Sequence, residues 1–212
     1  MKSSKYVSLI AVVIFLAATA HAAKVDMKDP RRALGREDDI RVDAELYQDT
    51  VANNSPLNIT YRIQNLTDSP IAIADKISDV SYDEDSCTIT VSIGAEVPAD
   101  NSMPHLVVIP PGAKKTMTGG GVFNTAVASS KFGRVPRYVQ IKVNVLRDIA
   151  PFSALLEQQS KSAAPVPLPT ALFDKWLDAS DTIFCNAIPV RWTSKPRSDV
   201  PSAEQRAPSG SW

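Results

Sequence analysis

The sequence of 212 residues is poor in the side chains that most enzymes and metalloproteins use. It contains two histidines, and only His105 lies outside the first 22 residues. Sites built from several histidines, such as most zinc sites, are therefore excluded beyond that segment. Any Ser-His-Asp triad would have to use His105, and no Gly-x-Ser-x-Gly motif accompanies it. We interpret His105 as a surface residue at the start of a strand, and we predict no catalytic, cofactor or metal site.

Neither charge sign is in excess. The chain carries 23 lysines and arginines and 23 acidic residues, and the two signs are mixed along its length. Such a surface lacks the basic patch that attracts phosphate-rich ligands. We therefore expect no binding to nucleic acid.

Long apolar runs are also missing, except at the amino terminus. There Lys2 and Lys5 precede an apolar run over residues 7–20, and Ala20-His21-Ala22 has the small-x-small form that signal peptidase accepts. The run is shorter than the roughly 20 residues that span a bilayer. We predict a signal peptide over residues 1–22, a secreted or periplasmic location, and no membrane span after cleavage. Cleavage would take the basic side chains from 23 to 21, against 23 acidic ones.

Alternating apolar and polar residues, the pattern of a strand with one buried face, are the main feature of the middle of the chain. The clearest examples are residues 40–46, 57–63, 87–93 and 139–145. Shorter candidate strands are residues 71–74, 78–82, 106–109 and 114–118, and turn residues separate them. Because each strand has one apolar face, we predict two antiparallel sheets packed face to face, with a small barrel as the alternative.

Two segments resemble a known family. Residues 57–70 (LNITYRIQNLTDSP) and 105–112 (HLVVIPPG) resemble bacterial immunoglobulin-like domains, in which one strand ends in an Asn-x-Thr/Ser turn and a later strand ends in a Pro-Gly turn. The resemblance covers residues 40–147, about half of the chain. It implies an all-β, immunoglobulin-like antiparallel β-sandwich and says little about function, because such domains have many roles.

Beyond residue 150 the pattern changes. Residues 152–161 are typical of a short helix, and residues 163–169 contain too many prolines for anything but an extended connector. A second helix near residues 170–180 has one apolar face that the sandwich must cover, formed by Leu172, Phe173, Trp176 and Leu177. A last strand is expected near residues 182–188.

The resulting organisation has three parts after the signal peptide. Residues 23–39 are predicted to be a flexible segment, and residues 40–192 to be the sandwich with its C-terminal helical insertion. Residues 193–212 have too few apolar side chains to offset the entropy of ordering, so we predict a disordered tail.

The chain has two cysteines, Cys87 and Cys185. In an exported protein such a pair predicts a disulfide. A bond closing a loop of about 98 residues would stabilise the fold by roughly 4 to 5 kcal/mol in the chain-entropy model. The alternative, a catalytic thiol, lacks neighbouring residues that would lower its pKa.

Two surface features are candidate contact sites. Thr118-Gly119-Gly120-Gly121 lacks the Gly-Lys-Ser/Thr of a phosphate-binding loop, so we interpret Gly119, Gly120, Gly121 and Phe123 as part of a flexible contact loop that extends to Gly133. The carboxylates of Asp79, Asp83, Glu84 and Asp85 could bind calcium. Their spacing matches no EF-hand, and a solvated acidic turn is the other interpretation.

These features together predict a secreted or periplasmic, non-catalytic binding or structural module that presents loops to an unknown protein or envelope component. The alternative is an accessory domain or hydrolase that acts on an extracellular polymer, through the acidic turn or His105. A two-domain assembly chaperone of the donor-strand type would need a second β-rich domain, which residues 151–212 do not supply.

Overall fold

A computed structural model describes residues 29–75, 77–94, 102–124, 134–162, 164 and 166–194. The predicted signal peptide and nearly all of the predicted tail lie outside these residues. The described part of the chain is mostly β-structure, with two short helices near its C-terminal end. None of these helices is long and apolar enough to cross a membrane.

The strands of the described residues, in chain order, are β1 (Arg32–Glu37), β2 (Ile40–Leu46), β3 (Thr50–Val51), β4 (Ser55–Asn65), β5 (Ile71–Ala74), β6 (Ile77–Asp83), β7 (Thr88–Ile93), β8 (Ser102–Met103), β9 (Leu106–Ile109), β10 (Lys114–Phe123), β11 (Tyr138–Leu146), β12 (Val166–Pro167), β13 (Ser180–Phe184), β14 (Ile188–Pro189) and β15 (Arg191–Trp192). The helices are α1 (Ser153–Lys161) and α2 (Phe173–Ala179), and a 3-10 turn precedes each one.

The first sheet is antiparallel and has the strand order β1-β2-β4-β10. Strand β4 buries every second side chain from Leu57 to Asn65, as the alternation predicts. Strand β1 was not predicted, because it lies within the segment expected to be flexible. Its inward residues are Ala33 and Gly35, which give no apolar alternation in the sequence.

The second sheet has the strand order β6-β7-β11-β5-β9. Strands β13 and β14 also pair with β11, on the side opposite β7. Most of its pairs are antiparallel, but β7 and β11 run parallel from Tyr138↔Thr88 to Val143↔Ile93. The purely antiparallel arrangement that we predicted is therefore wrong at this pair, and the short pair of β3 with β15 is also parallel.

The main core lies between the two sheets. Inward side chains of β2 and β4 pack with those of β7 and β11 in one cluster. Its largest fully buried members include Tyr61 and Phe123. The period-two pattern therefore identifies the buried face of each central strand correctly.

A second apolar cluster lies on the outer face of the second sheet, where the helices cover one end. Phe152 and Trp176 pack edge to face with their ring centroids 5.4 Å apart. Around them lie Ala72, Ala74, Met103, Leu106, Leu146, Val166 and Leu168. Both helices are confirmed near their predicted positions, and the second sheet covers Trp176. Leu177 differs from the prediction, because 46% of it stays exposed.

Candidate functional site

The helices leave the other end of the second sheet uncovered. We call this region the open face, and define it by outward side chains of β7, β11 and β13, namely Thr88, Thr90, Tyr138, Gln140, Lys142 and Phe184. The side chains point outward because their neighbours along the strands, such as Ile141 and Ile183, are buried in the core between the sheets.

Two aromatic rings mark the ends of the open face. Tyr138 is paired with Thr88 on one side and Pro189 on the other, and 43% of Tyr138 is exposed. Phe184 is paired with Lys142 and is 56% exposed. Because Tyr138 and Lys142 are four residues apart on one strand, the backbone positions that carry the two rings are separated by roughly 13 Å along the strand direction.

Polar side chains occupy the surface between the rings. Gln140 and Lys142 are half-buried on β11, and Thr88 and Thr90 are half-buried on the adjacent strand β7. The Gln140 amide donates a hydrogen bond to the Cys185 carbonyl oxygen at 3.4 Å, which holds the amide against the sheet. The region therefore combines flat aromatic surface with hydroxyl, amide and ammonium groups.

The predicted acidic group lies along one edge of the open face. Asp79 and Asp83 are exposed on β6, which pairs with β7. A hydrogen bond from the Ser86 hydroxyl (2.7 Å) and another from the Asp85 amide (3.0 Å) hold the pKa of Asp83 below its usual range. The carboxylate thus accepts hydrogen bonds from its own turn. Among the described residues, no three side chains of His, Cys, Asp or Glu form a potential metal site.

His105 lies away from the open face, at the start of β9. Its Nδ1 contacts Asp75 Oδ2 at 3.0 Å, and the Asp75 amide donates to the His105 carbonyl oxygen at 3.2 Å. The side chains are 59% and 37% exposed. The pair therefore stabilises the ends of β5 and β9 at the surface, as expected of a histidine that begins a strand.

The glycines predicted to form a contact loop belong instead to β10. Gly119, Gly120 and Gly121 pair with β4 in an unbroken antiparallel register. Phe123 is fully buried, with Tyr82 and Trp192 packed edge to face against it at 5.9 and 6.1 Å. Glycine carries no hydropathy signal, so the period-two pattern failed here. Residues 125–133 of the predicted loop lie outside the described residues.

The predicted Cys87–Cys185 disulfide is not formed, and both cysteines are free thiols. Cys87 occupies a turn with φ at +54°, and its carbonyl oxygen accepts bonds from Arg137 and Tyr138 on the β7 side of β11. Cys185 donates its amide to Ile141 on the opposite side of β11. Two strand spacings, about 9 to 10 Å, exceed the roughly 7 Å between Cα atoms that a disulfide tolerates.

Burial also explains why the Cys185 thiol is expected to be unreactive. It is 1% exposed, and desolvation, with a smaller contribution from the charge of Asp43, raises its pKa to about 12. A thiol that stays protonated is a poor nucleophile.

Comparison with known proteins gives no family assignment. No model of a known protein family matches the chain, and no characterised protein matches it.

Proposed function

We propose that this chain is a secreted or periplasmic, non-catalytic binding module of the immunoglobulin-like class, and that its open face binds a polysaccharide of the cell envelope or its surroundings. The observation that carries the proposal is the pair of exposed rings, Tyr138 and Phe184, with polar side chains between them on one face of the sheet.

Sugar rings offer two kinds of surface that match this arrangement. Their C–H faces are apolar and stack on aromatic rings, and their hydroxyl groups both donate and accept hydrogen bonds. Gln140 can donate and accept, and the two threonine hydroxyls can do the same. Rings carried by backbone positions roughly 13 Å apart along the strand suit different units of one extended chain better than a single small ligand, which is usually enclosed in a concave pocket.

The distribution of apolar surface favours a polysaccharide over a protein partner. Protein interfaces concentrate their binding energy in a compact, well-packed apolar centre. Here Tyr138 and Phe184 stand apart, and Gln140 and Lys142 separate them. Lys142 and the nearby carboxylates of Asp79 and Asp83 have opposite charges, so the region also gives no strong attraction to a polyanion.

The placement of the carboxylates supports a binding role rather than hydrolysis. Glycosidases place two carboxyl groups roughly 5 to 9.5 Å apart across the bond that they cleave. Asp79 and Asp83 are four residues apart on one strand, which corresponds to roughly 13 Å. An accessory module beside a separate enzyme is therefore the favoured form of the polymer hypothesis.

The test is a sedimentation assay of the processed protein with insoluble polysaccharides, such as peptidoglycan, chitin and cellulose. We expect retention on at least one of them. Tyr138→Ala and Phe184→Ala should each weaken retention by roughly two- to tenfold, because each ring contributes about 0.5 to 1.5 kcal/mol.

Leu66→Ala is the matched control, because Leu66 is 42% exposed and lies in the turn after β4. Its retention should equal that of the unmodified protein. Equal retention of all three variants, or binding only to a protein from envelope extracts, would contradict the polysaccharide proposal. Circular dichroism of each variant verifies that the sheets are intact.

A further inference from the structure

Strand β10 is the last strand of the first sheet, and in the described part of the chain no strand pairs with its outer side. The backbone N–H of Asn65 donates to the Ala113 carbonyl oxygen, and the backbone N–H of Asn54 donates to the Phe123 carbonyl oxygen. The backbone N–H and C=O groups of the odd-numbered residues of this segment therefore point toward β4. The backbone N–H and C=O groups of the even-numbered residues therefore point away from the sheet. These residues, all exposed, are Lys114, Thr116, Thr118, Gly120 and Val122.

The features that usually block pairing at an exposed edge are missing from the middle of β10. Proteins protect such edges with proline, β-bulges or charged side chains. The register of β10 with β4 has no shift from Lys114↔Gln64 to Phe123↔Ser55, and β10 contains no proline. Its charges are confined to Lys114 and Lys115. The glycines at positions 119–121 let another backbone approach closely.

The two ends of this edge carry opposite charge. Lys114 and Lys115 begin the strand. At its other end, Phe123 packs against Tyr82 with 5.9 Å between ring centroids, and Tyr82 is followed by the exposed acidic turn Asp83-Glu84-Asp85. Arg134 forms an ion pair with Asp85 at 3.5 Å, which leaves the turn with a net negative charge.

We propose that β10 pairs antiparallel with β10 of a second copy of this chain, about a two-fold axis near Gly119, so that the two first sheets join into one. Antiparallel pairing places the lysines of each copy at the acidic turn of the other, whereas parallel pairing would bring the lysines together. The interface is self-complementary, as a two-fold dimer requires. This inference does not rest on the polysaccharide proposal.

Sedimentation equilibrium of the processed protein tests the proposal, and we expect a reversible dimer whose Kd rises with salt. Thr118→Pro removes an N–H that points away from β4, so the fold should be retained while pairing is blocked. We expect the dimer Kd to rise by at least roughly tenfold, because several interchain hydrogen bonds are lost. Thr118→Val is the control and should dimerise like the unmodified protein.

Charge reversal tests the antiparallel register. Lys115→Glu and Glu84→Lys should each weaken the dimer, and the double variant should recover most of the loss because the charges are exchanged. A monomeric unmodified protein, or unchanged dimerisation of Thr118→Pro, would overturn the proposal. A double variant as weak as its parents would rule out the antiparallel arrangement.

Discussion

Gly35 lies where β1 passes close to β13. A Cβ atom at this position would be 2.9 Å from the Phe184 carbonyl oxygen, 3.0 Å from Ile183 Cγ2 and 3.1 Å from Cys185 Sγ. The first of these atoms belongs to the backbone, so it cannot move aside without shifting the strand. The missing side chain is what allows the two sheets to approach each other at this edge.

We therefore expect Gly35→Ala to lower the free energy of unfolding by about 1 to 3 kcal/mol through overpacking. Urea unfolding measures the change. Gly120→Ala is the control, because its added Cβ would meet the Asn58 side-chain oxygen at 3.0 Å, and that side chain can rotate. A loss for Gly120→Ala as large as that for Gly35→Ala would contradict this explanation.

The two thiols should differ in reactivity. At about pH 8 we expect iodoacetamide to modify Cys87 in the folded protein and to leave Cys185 unmodified, because burial keeps the Cys185 thiol protonated. In urea both should react. Mass spectrometry of the digested protein gives the answer, and a bond between the two cysteines in the purified protein would refute the assignment of free thiols.

Asp43 carries a pH-dependent part of the stability. Burial acts to raise its pKa, but hydrogen bonds from Arg62 (2.7 Å) and Arg41 (3.0 Å) outweigh that effect and bring the pKa below its usual value. The folded state therefore favours the ionised form. The resulting stabilisation is present above the ordinary carboxyl pKa and is lost as the pH falls through the lowered value.

Asp43→Asn should lower the free energy of unfolding at neutral pH by about 1 to 3 kcal/mol, the range for hydrogen bonds to charged groups. The difference from the unmodified protein should begin to shrink as the pH falls below about 4, and it should be smallest below the lowered pKa of Asp43, where the carboxylate is protonated in both states. Urea unfolding over a pH series measures both effects. A difference that does not change with pH would show that the charge of Asp43 is unimportant.

At the scale of the strands, the sequence predicts elements well where the two faces differ in side-chain chemistry. Strands β2 and β4 alternate apolar and polar residues, and their buried faces were identified correctly. Strand β1 and the second half of β10 were missed because small residues occupy most of their inward positions, namely Ala33, Gly35, Gly119 and Gly121. The strand predicted over residues 87–93 starts one residue too early, because Cys87 lies in a turn with positive φ and β7 begins at Thr88.

Helix α2 offers the sharpest test of how the helices attach to the sheet. Trp176 is 1% exposed and packs on Phe152, whereas the next residue, Leu177, is 46% exposed. Trp176→Ala should cost about 3 to 5 kcal/mol, because a large side chain is removed from a packed cluster.

Hydrogen exchange should then increase in α1 and α2 while β2 and β4 stay protected, since those strands belong to the other cluster. Leu177→Ala is the control and should change stability by less than about 1 kcal/mol. Comparable effects of the two substitutions would contradict the observed packing of α2.

At the scale of the whole molecule, contacts between distant segments join the two large sheets at both of their edges. On one side, the backbone N–H of Leu34 donates to Asn186 Oδ1 at 2.6 Å. The backbone N–H of Asn186 donates back to the Leu34 carbonyl oxygen at 3.0 Å. On the other side, Phe123 packs against Tyr82 and Trp192.

The open face depends on the parallel pairing of β7 with β11. Periodicity shows which face of each strand is buried, but it carries no information about which strands become neighbours.

The two proposals lead to a joint prediction about binding strength. In the β10 dimer the joined first sheets lie on one side, so the open faces of both copies point in the same direction. A long polysaccharide could then contact both faces, and the second contact would be intramolecular.

The monomeric Thr118→Pro variant should therefore lose at least roughly tenfold in apparent affinity for the polymer. Its affinity for a short oligosaccharide that fits one face should not change, because Thr118 lies on the other sheet. Isothermal titration with the short oligosaccharide and sedimentation with the polymer separate these quantities. If Thr118→Pro lost affinity for both ligands equally, the effect would come from a damaged site, and the two faces would act independently in the dimer.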